Sequence, residues 1–268
     1  MTTETLEAAR AVATDAALQA GALLRRMAGQ VNDVRHKGPV DLVTEADRAS
    51  EKLILETIRA RFPEHAILSE ESGALSGADD APRWLIDPLD GTTNYAHGYP
   101  LYAVSIALEV AAEVVLGVVY VPTLDELYVA ERGRGAWLNG QPLRVSRTDT
   151  LLASLLATGF LYDVDTRGRN LPHWENFIHA TQGVRRSGSA AIDLCHVAAG
   201  RLDGYWEEGL APWDSAAGSL MVTEAGGTVT GYDGEPFRLD GPNCVASNGV
   251  IHAAMLRVLA QGMAALPD

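Results

Sequence analysis

Cysteine is scarce. Cys195 and Cys244 are the two in 268 residues, and neither belongs to a C-x-x-C pair, which excludes zinc-ribbon and dithiol redox motifs. Two reduced, buried thiols in a cytoplasmic protein are the expectation. No stretch approaches ~18 uninterrupted apolar residues, so no membrane span is expected. Met1-Thr2-Thr3-Glu4 is acidic and lacks a signal-peptide pattern. Positive charge is short as well: 21 Lys and Arg face 35 Asp and Glu, a net charge of -14, and direct nucleic-acid binding is not expected. A Walker A run is missing, which excludes a P-loop enzyme, and the absence of G-x-S-x-G argues against a serine hydrolase. Gly133-x-Gly135 imitates a dinucleotide fingerprint but fails, because Asn139-Gly140, a type I′ hairpin signal, stands where a helix should start. The seven histidines are scattered; His173 and His179 lack metal-ligand spacing.

What is present suits a globular chain with a sizeable core: 47% hydrophobic and 21% charged residues,. Residues 4–28 carry Leu6, Ala9, Ala13, Ala16, Ala20 and Leu24 at helical spacing, closed by Arg25, Arg26 and Gly29,. The polar stretch from Arg35 to Asp47 leads into a second helix, with Thr44 as its expected N-cap and Pro63 beyond its end. Ala66 to Leu68 and Trp84 to Ile86 read as short strands. Tyr102 to Val129 reads as several more, and Leu151 to Thr158 as another. Helices follow over Leu171–Thr181 and Ala191–Ala199, the second largely apolar and holding Cys195. Leu202–Glu207 and Cys244–Ala246 are further strands, Pro212–Glu224 a helix, and Val250–Met263 a terminal helix. This alternation predicts a layered α/β fold in one domain over 1–268.

Four carboxylates sit where such strands end or helices begin: Glu70, Asp87, Asp90 and Asp214. In layered α/β folds those positions converge on the ligand-binding edge. Around the middle pair the chain reads Trp84-Leu85-Ile86-Asp87-Pro88-Leu89-Asp90-Gly91-Thr92-Thr93-Asn94-Tyr95. Pro88 should stop the strand ladder, Gly91 allow a sharp turn, and Thr92 or Thr93 cap a short helix. The carboxylates would repel one another without cations, and oxygen-only donors favour Mg²⁺ or Mn²⁺ over zinc. Two such ions ~4 Å apart are a known route to phosphate-ester hydrolysis. From the residues alone a plain capped loop, with Asp214 as an ordinary helix cap, stays open.

The stretch from Trp84 to Tyr95, together with Trp213-Asp214-Ser215-Ala216-Ala217-Gly218 and Thr223-Glu224-Ala225-Gly226-Gly227, resembles the two signature motifs of the inositol monophosphatase family of Mg²⁺-dependent, lithium-sensitive phosphatases. Pro39-Val40-Asp41-Leu42-Val43-Thr44-x-x-Asp47, Ser69-Glu70-Glu71-Ser72 and Gly133-x-Gly135-Ala136 are similar to secondary family patterns. The resemblance implies an alternating α-β-α-β-α sandwich of the sugar phosphatase type. Most metal ligands would lie in an N-terminal half of about 1–145, with the substrate-reading residues and Asp214 in the remainder. It implies one metal on Glu70, Asp87 and the Leu89 carbonyl, and a second on Asp87, Asp90 and Asp214. A weaker third would involve Glu70 with water near Asp47. Thr92 and Glu70 would activate the attacking water, with Asp47 nearby. Gly91 and Thr92 amides would hold the phosphate. Asp90, Gly188, Ser189, Ala190 and Glu207 would read the alcohol. The implied substrate is a small phosphorylated polyol or sugar, inositol 1-phosphate first. Fructose 1,6-bisphosphate, histidinol phosphate and 3′-phosphoadenosine 5′-phosphate are alternatives within the family, and a partner-binding regulatory role is an alternative outside catalysis. A homodimer is a further implication.

Overall fold

An alanine-lined helix opens the chain. In the computed structural model, which describes residues 3–29, 34–36, 42–78 and 80–262, α1 (Thr3–Met27) fully buries Ala9, Ala13, Ala16, Ala20 and Leu24. A hairpin of β1 (Val34–His36) and β2 (Leu42–Thr44) leads into α2 (Glu45–Arg61). Asp41 and residues 37–40 lie outside the described residues, as does the Thr44 side chain expected to cap α2.

Eight strands then form the first sheet: β3 (Ala66–Ser69), β4 (Gly73–Leu75), β5 (Arg83–Asp90), and, after the short α3 (Thr92–Ala96), β6 (Ala103–Val110), β7 (Glu113–Val121), β8 (Glu126–Glu131), β9 (Gly135–Leu138) and β10 (Gln141–Pro142). Their order is β10-β9-β8-β7-β6-β5-β3-β4, antiparallel except where β3 runs parallel to β5. The hairpin expected at Asn139-Gly140 is present, with φ 49° and 77° at its two corner residues, the positive values that a type I′ turn requires.

The rest of the chain builds a second sheet from β11 (Leu155–Thr158), β12 (Gly183–Arg185), β13 (Gly204–Glu208), β14 (Thr228–Thr230) and β15 (Asn243–Ser247), ordered β12-β11-β13-β15-β14. Its helices are α4 (Leu171–Ala180), α5 (Ala190–Ala198), α6 (Pro212–Glu224) and α7 (His252–Ala260). The strand expected from Leu151 begins only at Leu155. Leu151–Ala153 is a 3-10 turn, closed by Ser154 Oγ donating to the Leu151 carbonyl at 2.6 Å. Asp203 then accepts the Leu155 N–H at 2.7 Å and starts the strand.

The layers follow from which face each strand residue buries. Along β5, Trp84 and Ile86 join α1 and α2, whereas Leu85 joins α5 and α6; successive side chains of a strand point to opposite faces. On the far side of the second sheet, Leu156, Trp206 and Val245 pack with Phe177 of α4 and Met255 of α7. The result is α1/α2, first sheet, α5/α6, second sheet, α4/α7: the layered α-β-α-β-α sandwich. Among the described residues no helix is long and apolar enough to cross a membrane.

Candidate active site

Asp87 and Asp90 are three positions apart, so in a regular strand they would face opposite sides of the sheet. They face the same side. Asp87 pairs with Ser105 and Asp90 with Ala103, so three steps along β5 match two along β6. The extra residue lies at Pro88-Leu89, where a proline has no N–H for the ladder. Pro88 therefore does not end the strand as expected; it creates a bulge, and pairing resumes at Asp90. Ala103 lies on the α5/α6 side, and both carboxylates consequently enter the layer between the sheets. Ser50 Oγ donates to the Pro88 carbonyl at 2.7 Å, and the Leu89 N–H donates to Asp87 Oδ1 at 3.0 Å, which fixes the bulge.

The other candidate ligands come from neighbouring elements. Glu70 follows the last residue of β3, and its N–H bonds the Ile86 carbonyl at 3.1 Å, which sets it beside Asp87. Its loop is held by buried Glu51, which accepts from Ser69 Oγ at 2.5 Å, the Ser72 N–H at 3.0 Å and Ser72 Oγ at 2.6 Å. Asp214 sits in the first turn of α6, where its Oδ2 accepts the Ala211 N–H at 2.7 Å. The capping role that its sequence context allowed is real, and it places Asp214 in the same layer. Ser105 Oγ, one strand over from Asp87, donates to the Trp213 carbonyl at 3.2 Å and ties α6 to β6.

Burial and mutual repulsion show in the titration of the three aspartates. Burial first, then the charges of Glu70, Asp90 and Asp214, push Asp87 well above the usual carboxylate range,. Asp214 is raised in the same way, by burial and then by Asp90. Burial raises Asp90 to about 6, opposed by hydrogen bonds from Ser189 and the Ala191 N–H. Among the described residues no three His, Cys, Asp or Glu side chains are drawn together as a finished ligand cluster. Asp87 is buried and Glu70, Asp90 and Asp214 are partly buried, all within electrostatic reach of one another. Oxygen donors gathered in this way, with the three aspartates penalised for their charge, fit a hard divalent cation.

Gly91 (φ 91°) and not a threonine provides the N-cap of α3. A Cβ there would lie 3.0 Å from the Leu101 carbonyl oxygen and 3.4 Å from that of Gly188, so glycine is needed for conformation and space alike. Thr92, the first residue of the helix, donates its hydroxyl to Asp47 Oδ1 at 2.9 Å and to the Leu89 carbonyl at 3.0 Å. Asp47 is fully buried in the first turn of α2.

The family model described as the inositol monophosphatase family matches residues 5–264. The chain belongs to the inositol monophosphatase family. It is 52% identical over 259 residues to the inositol-1-monophosphatase of Synechocystis, covering 96% of this chain and 89% of that one. Among solved structures, the inositol monophosphatase of Anabaena (Nostoc) superposes with a TM-score of 0.89 at 46% identity, covering 98% and 100% of the two chains. The extragenic suppressor protein suhB of Bartonella henselae gives 0.92 at 44%, covering 95% and 99%.

In this member of the inositol monophosphatase family, a cavity of about 120 Å³ opens beside the carboxylates, lined among others by Asp90, Gly159, Arg186, Ser189, Glu207 and Asp214. The residues expected to read the alcohol all reach it. Gly188 and Ala190 are part of its lining. The Ser189 hydroxyl is already engaged: it donates to Asp90 Oδ2 at 2.5 Å and accepts the Ile192 N–H at 3.3 Å, capping α5. The Ala191 N–H reaches the same Asp90 oxygen at 2.8 Å, so Asp90 also sits at the positive end of α5. Burial raises Glu207 to about 7, against the lowering effects of Tyr205 and Arg186.

Sequence reasoning passed over several residues of this site. Asn94 Nδ2 donates to the Leu101 carbonyl at 2.7 Å and the Ser187 carbonyl at 2.8 Å, stitching α3 to the 187–190 turn. Its place inside the motif was the available signal. Glu51, Ser105 and Gly159 gave none, because each acts through a partner far away in the chain.

Proposed function

We propose that this enzyme hydrolyses phosphate monoesters of small polyols with Mg²⁺, and that myo-inositol 1-phosphate is its preferred substrate. The observation that carries the reading is the bulge at Pro88-Leu89. It turns Asp87 and Asp90 to one face, toward Asp214 and beside Glu70. Glu70, Asp87 and the Leu89 carbonyl would hold one ion, and Asp87, Asp90 and Asp214 a second; a weaker third would involve Glu70 with water, near Asp47. Mn²⁺ suits the same donors, and lithium would compete at the weakest position. When bound, the ions supply charge neutralisation for the phosphoryl oxygens and Lewis-acid activation of water.

The protein's own groups do the positioning. The Thr92 hydroxyl proton is engaged by Asp47 and the Leu89 carbonyl, so its lone pairs remain to accept a hydrogen bond from water. Thr92 would thereby orient the nucleophile, with Glu70 taking the proton. The amides of Gly91 and Thr92, at a helix start and without intrahelical partners, would receive the phosphate. Glu207 and the 188–190 turn would face the leaving alcohol, with Asp90 at their junction.

The test is a panel of myo-inositol 1-phosphate, fructose 1,6-bisphosphate, histidinol phosphate and 3′-phosphoadenosine 5′-phosphate, each assayed for phosphate release with Mg²⁺ and with chelator. Highest kcat/KM on the inositol ester supports the reading. A preference for any of the other three would overturn the substrate while keeping the chemistry.

Two accompanying features belong to the same proposal. Tyr162, Val164 and Leu171 are exposed around a groove of about 520 Å³. A second copy of the chain would cover it, which a sedimentation mass of two chains would support and one of a single chain would refute. Both thiols, Cys195 and Cys244, are buried and unpaired, which suits a reducing, cytoplasmic setting.

A further inference from the structure

Asn170 stands at the N-cap of α4, a position where asparagine commonly bonds its own helix. It makes no such bond. The side chain turns inward instead and is buried. Its Nδ2 donates to Thr158 Oγ1 at 2.8 Å and to the Gly159 carbonyl at 2.6 Å, while its Oδ1 accepts the Trp206 indole N–H at 2.8 Å. Thr158 Oγ1 in turn donates to the Trp206 carbonyl at 2.5 Å. One amide thus uses both its donors and its acceptor to fasten the end of β11 to β13, at the place where Thr158 and Trp206 are register partners.

The residues just past that fastening are Gly159 and Glu207. The Glu207 carboxylate lies against the Gly159 backbone so closely that a Cβ on residue 159 would overlap it. The Tyr205 hydroxyl donates to the same carboxylate from the other side. Gly159 and Glu207 both line the cavity beside Asp90. None of the clamp's bonds touches Glu70, Asp87, Thr92 or Asp47.

We propose that Asn170 is a positioning residue for leaving-group recognition: by pinning Gly159 to Trp206 it fixes the surface on which Glu207 rests. The inference rests on Glu207 facing the alcohol of the substrate. An amide is suited to the task because it presents two donors and one acceptor in a plane; an aspartate here would set an acceptor against the Gly159 carbonyl. Losing the clamp lets Glu207 shift sideways and leaves the phosphoryl-transfer groups where they are.

The experiment is a double-mutant cycle on two substrates: myo-inositol 1-phosphate, and p-nitrophenyl phosphate, whose leaving group has no ring hydroxyls for Glu207 to bind. Asn170→Ala is expected to lower kcat/KM for the inositol ester roughly tenfold, mainly through KM, with p-nitrophenyl phosphate held within about twofold. In a Glu207→Gln background the same change should cost nothing further on the inositol ester, because its effect passes through Glu207. Should Asn170→Ala fold poorly, Trp206→Phe removes one clamp bond while keeping the ring stacked on Phe177, and should shift the same ratio in the same direction. Equal losses on both substrates, no loss on the inositol ester, or additive losses in the Glu207→Gln background would each overturn the proposal. If Glu207→Gln alone leaves inositol specificity untouched, the reading of Glu207 falls and the clamp proposal falls with it; if only the Asn170 effect is missing, Glu207 keeps its role.

Discussion

Thr92 gives its hydroxyl hydrogen bond to Asp47, a residue 45 positions earlier in the chain, at 2.9 Å. The bond joins the first turns of two helices, α2 and α3, and in the proposed mechanism the remaining lone pairs of Thr92 accept from the attacking water. Thr92→Val keeps the side chain's shape and removes those lone pairs. It should lower kcat by roughly 10²–10⁴, the range for losing a positioned proton-transfer group, with a much smaller change in KM. Asp47→Asn should lower kcat too, since an amide no longer holds the hydroxyl proton as a carboxylate does. Steady-state kinetics on myo-inositol 1-phosphate check both, and a Thr92→Val enzyme with wild-type kcat would remove Thr92 from the mechanism.

Asp214 supplies a separation of stability from function. Its buried charge is raised in pKa by burial and by Asp90, so ionisation at neutral pH works against the metal-free fold. For an acid whose folded pKa exceeds its unfolded value, the loss sets in as pH rises above the unfolded value. Asp214→Asn removes that charge and retains an oxygen to accept the Ala211 N–H. The metal-free variant should therefore melt at or above the wild-type temperature at pH 7.5, while the rise in Tm that Mg²⁺ gives the wild type shrinks or disappears. Differential scanning calorimetry with and without Mg²⁺ reads both. A variant still stabilised by Mg²⁺ to the wild-type extent would exclude Asp214 as a ligand.

His196 predicts the acid limit of the fold. Burial first, then Arg201, lowers its pKa to about 4, with Glu126 opposing. The folded protein thus binds this proton less readily than the unfolded chain, whose histidine titrates near the usual ~6.5. Its contribution to stability is fully present above about 6.5 and is lost as pH falls toward about 4,. Replacing it by Gln should flatten the fall in Tm over that window. An unchanged Tm-against-pH curve would show that His196 is not the group responsible.

Asn94 holds two carbonyls, of Leu101 and Ser187, from opposite sides of the junction between α3 and the 187–190 turn. Asn94→Ala leaves both without that donor and should destabilise the protein by about 1–3 kcal/mol. The 187–190 turn would also loosen, and KM for the inositol ester should rise more than kcat falls. Urea unfolding together with kinetics on one preparation measures both. Full stability with an unchanged KM would mean that the turn is held by other bonds.

The layers were legible because they depend on local patterning. The alanine stripe of α1, the alternation in β6 and the Asn139-Gly140 corner each carry their geometry within a few residues. The carboxylate set was legible from residue type and from position at element ends. What the sequence could not show was how Asp87 and Asp90 come to share a face. A tight turn was expected, whereas the structure uses a bulge within a continuing strand, and a bulge depends on the partner β6. Asn170 was hidden for the same reason: its hydrogen bonds reach Trp206, 36 residues away, and its local context suggests only a helix cap. Gly159 looked like any loop glycine until Glu207 was seen against it.

The proposed chemistry requires that Glu70, Asp87, Asp90 and Asp214 work by holding Mg²⁺. The direct measurement is phosphate release from myo-inositol 1-phosphate as Mg²⁺ is titrated into chelator-treated enzyme, for the wild type and for Asp90→Asn. The expected result is no turnover without Mg²⁺, saturable recovery in the wild type, and a loss of several orders of magnitude in the variant at every Mg²⁺ concentration. Full turnover of the wild type in chelator, or a variant that recovers wild-type rates, would contradict it.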